Sequence, residues 1–220
     1  FCLDGQRLLE HNPAGTGCPP LGSFQVRQYR TEVESFQRVC AYTGVTENGP
    51  RFFTIDGRDG SRRWYGDRRA TSGGTNGGLD EAILTSNRPG TEARIYQWAQ
   101  TRFQDSSGNY IDFKYLKNPG GPSRPGEQLL RSVAYTGKVA LAGQSASHVP
   151  FAELVFNYLE VPAVRSWFSG TEVWRTRRLS SVNSLNGSHS LRNYRLGYEG
   201  APSGRDSVVL RTITECSSAS

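Results

Sequence analysis

Ala93-Arg94-Ile95-Tyr96-Gln97-Trp98-Ala99-Gln100-Thr101-Arg102-Phe103 is a long, aromatic stretch. It runs through Gln104 into Asp105-Ser106-Ser107-Gly108-Asn109, residues that bond to their own backbone or accept a positive φ and so favour a turn. Beyond the turn, Tyr110-Ile111-Asp112-Phe113-Lys114-Tyr115-Leu116 alternates, with Ile111, Phe113 and Tyr115 on one side. A period of two is what a half-buried strand requires. Two extended segments around a tight polar turn predict a β-hairpin over Glu92 to Leu116.

The same pattern recurs in both directions. Phe24 to Arg30 alternates, Ser35 to Ala41 does so less cleanly, and Arg51–Ile55 and Ser61–Tyr65 flank the turn Asp56-Gly57-Arg58-Asp59-Gly60. Leu129–Tyr135, Ala152–Leu159, Thr171–Asn183, His189–Tyr198 and Ser207–Thr214 read as further strands. Turn signals separate several of them at Asn118 to Pro122, Asn186-Gly187-Ser188 and Gly200 to Gly204, with Asn186-Gly187 predicting a tight primed turn. Short strands at such spacing predict an all-β chain: an antiparallel meander, a sandwich or a barrel-like sheet with long loops. Ala70 to Asn87 reads as a Gly/Ser/Thr loop with one helical turn at Leu79-Asp80-Glu81-Ala82, and Gly137 to Pro150 as a second loop. No composition shift divides the chain, so residues 1–220 are expected to form a single β-rich module.

Composition agrees with this. Ten Tyr, ten Phe and four Trp in 220 residues are too many to leave in water, so a packed core is expected. The 25 Gly and 11 Pro fit turns rather than helix interiors. There is no Met, and the chain opens on Phe1-Cys2-Leu3-Asp4-Gly5, which suggests a piece processed or excised from a larger protein. No apolar run approaches the roughly 20 residues of a membrane-spanning helix. The net charge of +6 is spread over short Arg clusters such as Arg62-Arg63 and Arg68-Arg69 with acids nearby, so nucleic acid is not an expected partner. Cys2, Cys18, Cys40 and Cys216 are even in number and contain no CxxC pair, which favours disulfides in an oxidising, extracellular setting over zinc. Of the three pairings, Cys18–Cys40 with Cys2–Cys216 is expected; the alternative leaves Cys2 and Cys216 without partners in this chain.

Catalytic and binding constellations are sparse. Gly143-Gln144-Ser145-Ala146-Ser147 beside His148 lacks the closing Gly and the strand–turn–helix setting of a nucleophile elbow. Asp105 with Asp112, or Glu153 with Glu160, are carboxylate pairs of the kind glycosidases use, although Asp105 fits better as the cap of the hairpin turn. No HxH, HExxH, EF-hand or phosphate-loop pattern occurs, so no metal or cofactor is expected. The candidate ligand-binding residues are aromatic: Trp64, Tyr65, Trp98, Trp167 and Trp174, with Tyr96, as a stacking platform for surface carbohydrate. The plainer reading of the same residues is core packing.

Tyr96-Gln97-Trp98 followed by Arg102-Phe103-Gln104-Asp105-Ser106-Ser107-Gly108-Asn109-Tyr110-Ile111-Asp112-Phe113-Lys114-Tyr115 resembles the D-x-x-G-N-x-I-x-Y-x-Y segment of SpvB-like and Rhs-repeat toxin proteins, including the B components of insecticidal toxin complexes. Leu3 to Leu8, Tyr29 to Phe36, Asn48-Gly49-Pro50 and Asp59-Gly60-Ser61 resemble further segments of that family. So do Arg178 to Val182, Tyr194 to Glu199 and Leu210 to Cys216, so the resemblance spans nearly the whole chain. It departs at Asn12 to Gly22, where Cys18 sits in an apparent insertion, and at Ala70 to Asn87. The resemblance implies a non-catalytic scaffold module of a secreted bacterial virulence toxin, with the remainder of the parent toxin polypeptide as its partner. A carbohydrate- or cell-surface-binding lectin-like module is the second reading, and a hydrolase the third.

Overall fold

A computed structural model describes residues 1–11, 17–45, 47–66, 79–88, 90, 94–140, 147–200 and 208–217. The Gly-rich run Gly73 to Gly78, the elbow-like Gly143 to Ala146 and the turn Ala201 to Gly204 lie outside the described residues. Fifteen strands are described: β1 (Cys2–Leu3), β2 (Gln6–Glu10), β3 (Gln25–Thr31), β4 (Arg38–Thr43), β5 (Phe52–Asp56), β6 (Arg62–Gly66), β7 (Ile83–Thr85), β8 (Ile95–Trp98), β9 (Gln100–Gln104), β10 (Asn109–Lys117), β11 (Gln128–Lys138), β12 (Ala152–Phe168), β13 (Thr171–Asn186), β14 (His189–Gly200) and β15 (Val208–Ser217). The expected helical turn is a 3-10 turn at Leu79–Ala82.

The all-β expectation holds, and its meander form is the one observed. Thirteen strands form one antiparallel sheet in the order β1-β2-β3-β4-β5-β6-β9-β10-β11-β12-β13-β14-β15, which does not close into a barrel. β7 and β8 form a separate pair. The predicted hairpin exists as β9–β10, but its long first arm is broken at Ala99. There the backbone changes partners: the Ala99 amide donates to the Ala82 carbonyl, while its own carbonyl accepts from Gly66. Gly66 allows this approach, because a Cβ there would stand 2.7 Å from both the Arg51 carbonyl and the Trp98 ring. The Asn186-Gly187 turn is tight, with φ of 58° at Gly187. Two further differences concern loops. Gly137 and Lys138 belong to β11, and β12 runs on to Phe168, turning at Ser169-Gly170 with positive φ at both residues.

Strand pairing sorts the side chains onto two faces, since opposed residues in a ladder share a face. On the first face Tyr29, Val39, Ala41, Phe53 and Ile55 are buried together with Leu8, and Leu3, Tyr65 and Trp98 pack against them. On the second, Cys40, Tyr42 and Phe52 are buried under the segment Gly17 to Phe24. Tyr42 stacks on Phe52 at 4.5 Å, and Phe24 meets Phe52 edge-on at 5.4 Å. β4 and β5 are thus covered on both faces, which explains why Phe52-Phe53 and Val39 to Tyr42 read as continuous apolar runs. Full burial of side chains such as Phe52 and Val39 contributes about 1.5–3 kcal/mol each.

Cys18 and Cys40 are bridged, pinning the Gly17 to Phe24 segment onto the second face. The expected Cys2–Cys216 bridge is not formed, and both thiols are free. Cys2 lies on β1 and Cys216 on β15, the two outer strands of a sheet that is not closed. A disulfide needs Cα atoms within about 7 Å, so this one would require the sheet to close on itself.

Candidate functional site

The five aromatic candidates do not form one platform. Tyr65 and Trp98 pack against the first-face core; Trp98 meets Phe53 edge-on at 5.1 Å and its indole N–H donates to the Pro50 carbonyl at 2.9 Å. Trp64 lies on the opposite face, opposite Thr54 and Arg102, with the Arg62 guanidinium 5.8 Å from its ring. These three behave as packing residues. Trp167 and Trp174 are different. Arg165 opposes Trp174 and Trp167 opposes Glu172, so all four share one face of the far β12–β13 hairpin. Arg165 lies 5.9 Å from the Trp167 ring and 5.8 Å from the Trp174 ring, and its guanidinium donates to Glu172 at 3.4 Å. Trp167 remains 65% exposed. This is a cation–π ladder with one open aromatic end.

The carboxylate pairs are each occupied by structural partners. Asp105 caps the hairpin turn: it accepts from the Asn109 side chain and from the amides of Ser107 and Asn109, and these bonds, the Asn109 side chain first, hold its pKa down. Asp112 sits in a bidentate pair with Arg102. Glu153 lies 3.9 Å from Lys114, and Glu160 3.2 Å from Arg177. Asp56 is gripped by Arg38 and Arg62; burial pushes its carboxyl up, but the two guanidinium groups outweigh this and lower it. His148 is tied to Lys138 through a backbone bridge. Among the described residues, no three His, Cys, Asp or Glu side chains converge as a metal site would need.

Beyond β9 the two faces of the sheet diverge in chemistry. The first face continues as Phe103, Ile111, Phe113, Val133, Leu154, Phe156, Val182, Tyr194, Leu196 and Ile213, each placed by its ladder partner. Phe113, Leu154, Phe156, Val182 and Leu196 are only half-buried and Ile213 is 64% exposed, because no second layer of described residues covers them. The other face carries Asp112, Lys114, Glu153, Asn157, Ser181, Asn183, Asn193 and Thr214, interspersed with Ala134, Val155 and Leu185. The outer edge of β15 pairs with nothing among the described residues. A cavity of about 520 Å³ lies over the earlier part of the first face, between β5, β8, the chain start and the tip of the β12–β13 hairpin.

The SpvB family model, described as the Salmonella virulence plasmid 65kDa B protein, matches residues 5–198. The chain belongs to the SpvB family. No curated protein matches it. In fold, this SpvB-family chain is similar to the N-terminal domain of effector protein SpvB from Salmonella typhimurium strain LT2, with a TM-score of 0.72 at 18% identity, covering 97% of this chain and 79% of that one. It is also similar to the crystal structure of TcdB2-TccC3-Cdc42, with a TM-score of 0.72 at 16% identity over 96% of this chain. A third neighbour is the Photorhabdus luminescens Tc holotoxin pore with the mutation TccC3-D651A, at TM-score 0.68, 18% identity and 96% coverage. The chain spans 12% of each of the two Tc chains.

One anchor of this SpvB fold escaped sequence reading. Glu127 is buried, and its carboxylate accepts from the Thr176 amide and hydroxyl and from the Arg177 amide. The ladder explains why. Glu160 pairs with Arg177 and Val164 with Arg175, so Val161-Pro162-Ala163 bulges out opposite Thr176 and leaves its amide without a strand partner. Glu127 fills that role from 49 residues away. Pro162 beside a strand pattern was the available signal for the bulge, but nothing local points to Glu127.

Proposed function

We propose that the chain is a non-catalytic structural module of a larger, secreted SpvB/Rhs-type bacterial virulence toxin, and that the remainder of the parent polypeptide covers its open sheet. The observation that carries this reading is the predominantly apolar face of β10–β15, half-buried through β14 and open at Ile213 on β15. A sheet with one apolar face is stable when that face is buried against another layer, and large exposed apolar patches mark interaction surfaces. The fold neighbours are parts of larger toxin chains, and the Cys18–Cys40 bridge fits an oxidising compartment. The test is hydrogen exchange and binding of an apolar fluorescent dye on residues 1–220 alone and joined to the flanking parent sequence. In the longer protein, amides of β14 and β15 gain protection and dye binding falls. Equal exchange and equal dye binding in the two forms refutes the scaffold role.

A second reading, binding of surface carbohydrate, is favoured by one feature, the open face of Trp167 beside Arg165, Glu172 and Trp174. Sugars stack their apolar faces on such rings and bond their hydroxyls to adjoining charged groups. A glycan array compares wild type with Trp167→Ala: binding lost in the variant supports this reading, and no binding by wild type excludes it.

A further inference from the structure

A trough of about 820 Å³, within the range of small-molecule sites, runs along β10 and β11. Its floor is the second face of the sheet, where the ladder sets Asp112, Lys114, Ser132, Glu153 and Val155 side by side. At the Gln128 end of β11 the 3-10 turn supplies Glu81 and Ala82, and the Gln128 side chain donates to the Glu81 carbonyl at 2.6 Å. At the other end stand Val149, Pro150 and Phe151. Two bulges in β11 shape these ends. Lys114 pairs with Ser132 and Tyr115 with Leu130, so Arg131 has no partner across the ladder, and it lines the trough. Bulges of this kind re-aim a side chain and recur beside functional sites. The second bulge holds Thr136, whose φ of 76° is an outlier for a β-branched residue. Its hydroxyl accepts from the Phe151 amide at 3.1 Å, and the Phe151 carbonyl accepts from Gly187 at 2.6 Å. Strain of that sort persists only where the surrounding structure imposes it, and it clusters at binding sites. Here it holds Phe151 at the rim, 56% exposed.

The lining carries three cations, Arg102, Lys114 and Arg131, and three acids, Glu81, Asp112 and Glu153. Arg102 and Asp112 bond each other twice. The other four are paired by charge alone. Lys114 and Glu153 are 3.9 Å apart, too far for a hydrogen bond, and their side chains are 61% and 32% exposed. Arg131 attracts Glu81, but burial outweighs it and pushes the Glu81 carboxyl up. Of the rings, Tyr110 is buried, Phe113 belongs to the first face, the Tyr115 hydroxyl is taken by the Gln100 carbonyl, and Phe151 is open. A ligand with a net charge meets as much repulsion as attraction here and loses its hydration. Hydroxyls both donate and accept, so a neutral ligand rich in them suits ammonium and guanidinium donors set among carboxylate acceptors. The open ring suits a molecule that also has an apolar face. Roughly 15 Å of β11 separates Arg131 from Thr136, more than one sugar ring spans.

We infer that this trough binds a short neutral oligosaccharide, whose hydroxyls bond Glu81, Lys114, Arg131 and Glu153 and whose apolar ring face stacks on Phe151. The site is independent of the scaffold role, which rests on the apolar face, and of Trp167, which stands at the far end of β12 from Glu153.

The probes are maltotriose and triacetylchitotriose, both neutral, titrated into the folded 220-residue chain and followed by amide and side-chain N–H shifts. Binding of one or both is expected, with shifts confined to Glu81, Lys114, Arg131 and the stretch Phe151 to Val155. Two charged counterparts, trigalacturonate and protonated chitotriose, bind more weakly. Glu153→Ala removes an acceptor and weakens the neutral sugar about ten-fold. Phe151→Ala removes the stacking ring and weakens it as well. Neither side chain is buried, so both variants keep the wild-type thermal midpoint. The proposal is overturned if neither sugar shifts the spectrum, if the charged sugars bind as tightly, or if either variant binds with undiminished affinity. Shifts confined to the Trp167 and Trp174 indoles overturn it too, since they mark the other carbohydrate site. Equal binding of acetyl-triserine amide, a neutral peptide rich in hydroxyls, would make the trough a peptide site and overturn the saccharide assignment.

Discussion

Reduction of Cys18–Cys40 should cost the module a large part of its stability. The bridge closes a loop of 22 residues. In the chain-entropy treatment, releasing a loop of that length returns to the unfolded state a freedom equivalent to about 3.4 kcal/mol at 25 °C. For a domain of this size, that corresponds to a fall in thermal midpoint of about 7–13 °C. The loss is also local, because the bridge holds down the cover of the second face. Leu21 and Phe24 lie on Tyr42 and Phe52, the Tyr42 hydroxyl donates to the Pro19 carbonyl at 3.2 Å, and the Gly17 amide donates to Gln28 at 3.1 Å. The assay is urea unfolding of wild type with and without reductant, with Cys18→Ala as a reductant-independent check. The reduced protein should show a lower midpoint and a steeper dependence on urea, since its unfolded state exposes more surface. Thiol titration of the unreduced, unfolded chain should find Cys2 and Cys216 alone, and reduction should add Cys18 and Cys40. A stability loss below about 1 kcal/mol would refute the loop-entropy reasoning. Blocked thiols at Cys2 and Cys216 would refute the open sheet itself.

Glu127→Leu strips the acceptor from the Thr176 amide, the Thr176 hydroxyl and the Arg177 amide. It should cost about 3 kcal/mol by denaturant unfolding and speed exchange in the far half of β12–β13, with Glu127→Gln losing less. Tyr115, whose hydroxyl donates to the Gln100 carbonyl, is pushed up to about 12, by burial first and then by Tyr65. The stability it contributes is complete below the ordinary tyrosine value of 10.0 and is lost as pH rises through about 12. Burial also raises Tyr29, Tyr42, Tyr65, Tyr96 and Tyr158, so phenolate absorbance should show a late-titrating component that shrinks by one group in Tyr115→Phe. Asp56 has the opposite sign: its lowered carboxyl stabilises the fold above the ordinary aspartate value, and that contribution disappears as pH falls through its own. Acid unfolding followed by tryptophan fluorescence should therefore be shallower in Asp56→Asn.

Much of the sheet was legible because its signals are local. Asp105 to Asn109 forms the turn its residues favour, Asn186-Gly187 makes a tight turn, and the strands from β3 to β15 fall within a few residues of their expected runs, except β7, which lies inside the stretch read as a loop, and β12, which runs nine residues past Leu159 to Phe168. What could not be read depends on distant partners. Nothing in Ile95 to Phe103 says that Ala99 should bond to Ala82 on one side and Gly66 on the other, yet that exchange splits one long segment into β8 and β9. Glu160 to Phe168 carries a Pro and looks like a strand end, but Glu127 rescues the bulge and lets β12 continue. The aromatic candidates failed as a set for a similar reason. Trp64 and Tyr65 are neighbours in sequence, and a strand must place them on opposite faces. Trp167 and Trp174 meet only because the Ser169-Gly170 turn folds β12 against β13.

The uneven cover of the sheet is what connects fold to role. Through β6 each face has its own lid: the Cys18 segment on one side, and the chain start with β8 on the other. Beyond β9 the alternation continues unchanged, with Phe113, Leu154, Phe156, Val182 and Leu196 all on the first face, but the lids end among the described residues. Side chains in that position still gain from their cross-strand neighbours, roughly 0.2–1 kcal/mol per pair, but forgo the larger gain of full burial. At the far edge, Val208, Val209, Leu210 and Ile213 are exposed, beside the charged pairs Arg211–Glu199 and Arg192–Glu215. An edge guarded so lightly is a ready template for another strand. The proposed role rests on this distribution of cover: the chain lays its own segments over both faces through β6, and the apolar face beyond β9 is the surface proposed to meet the rest of the parent polypeptide.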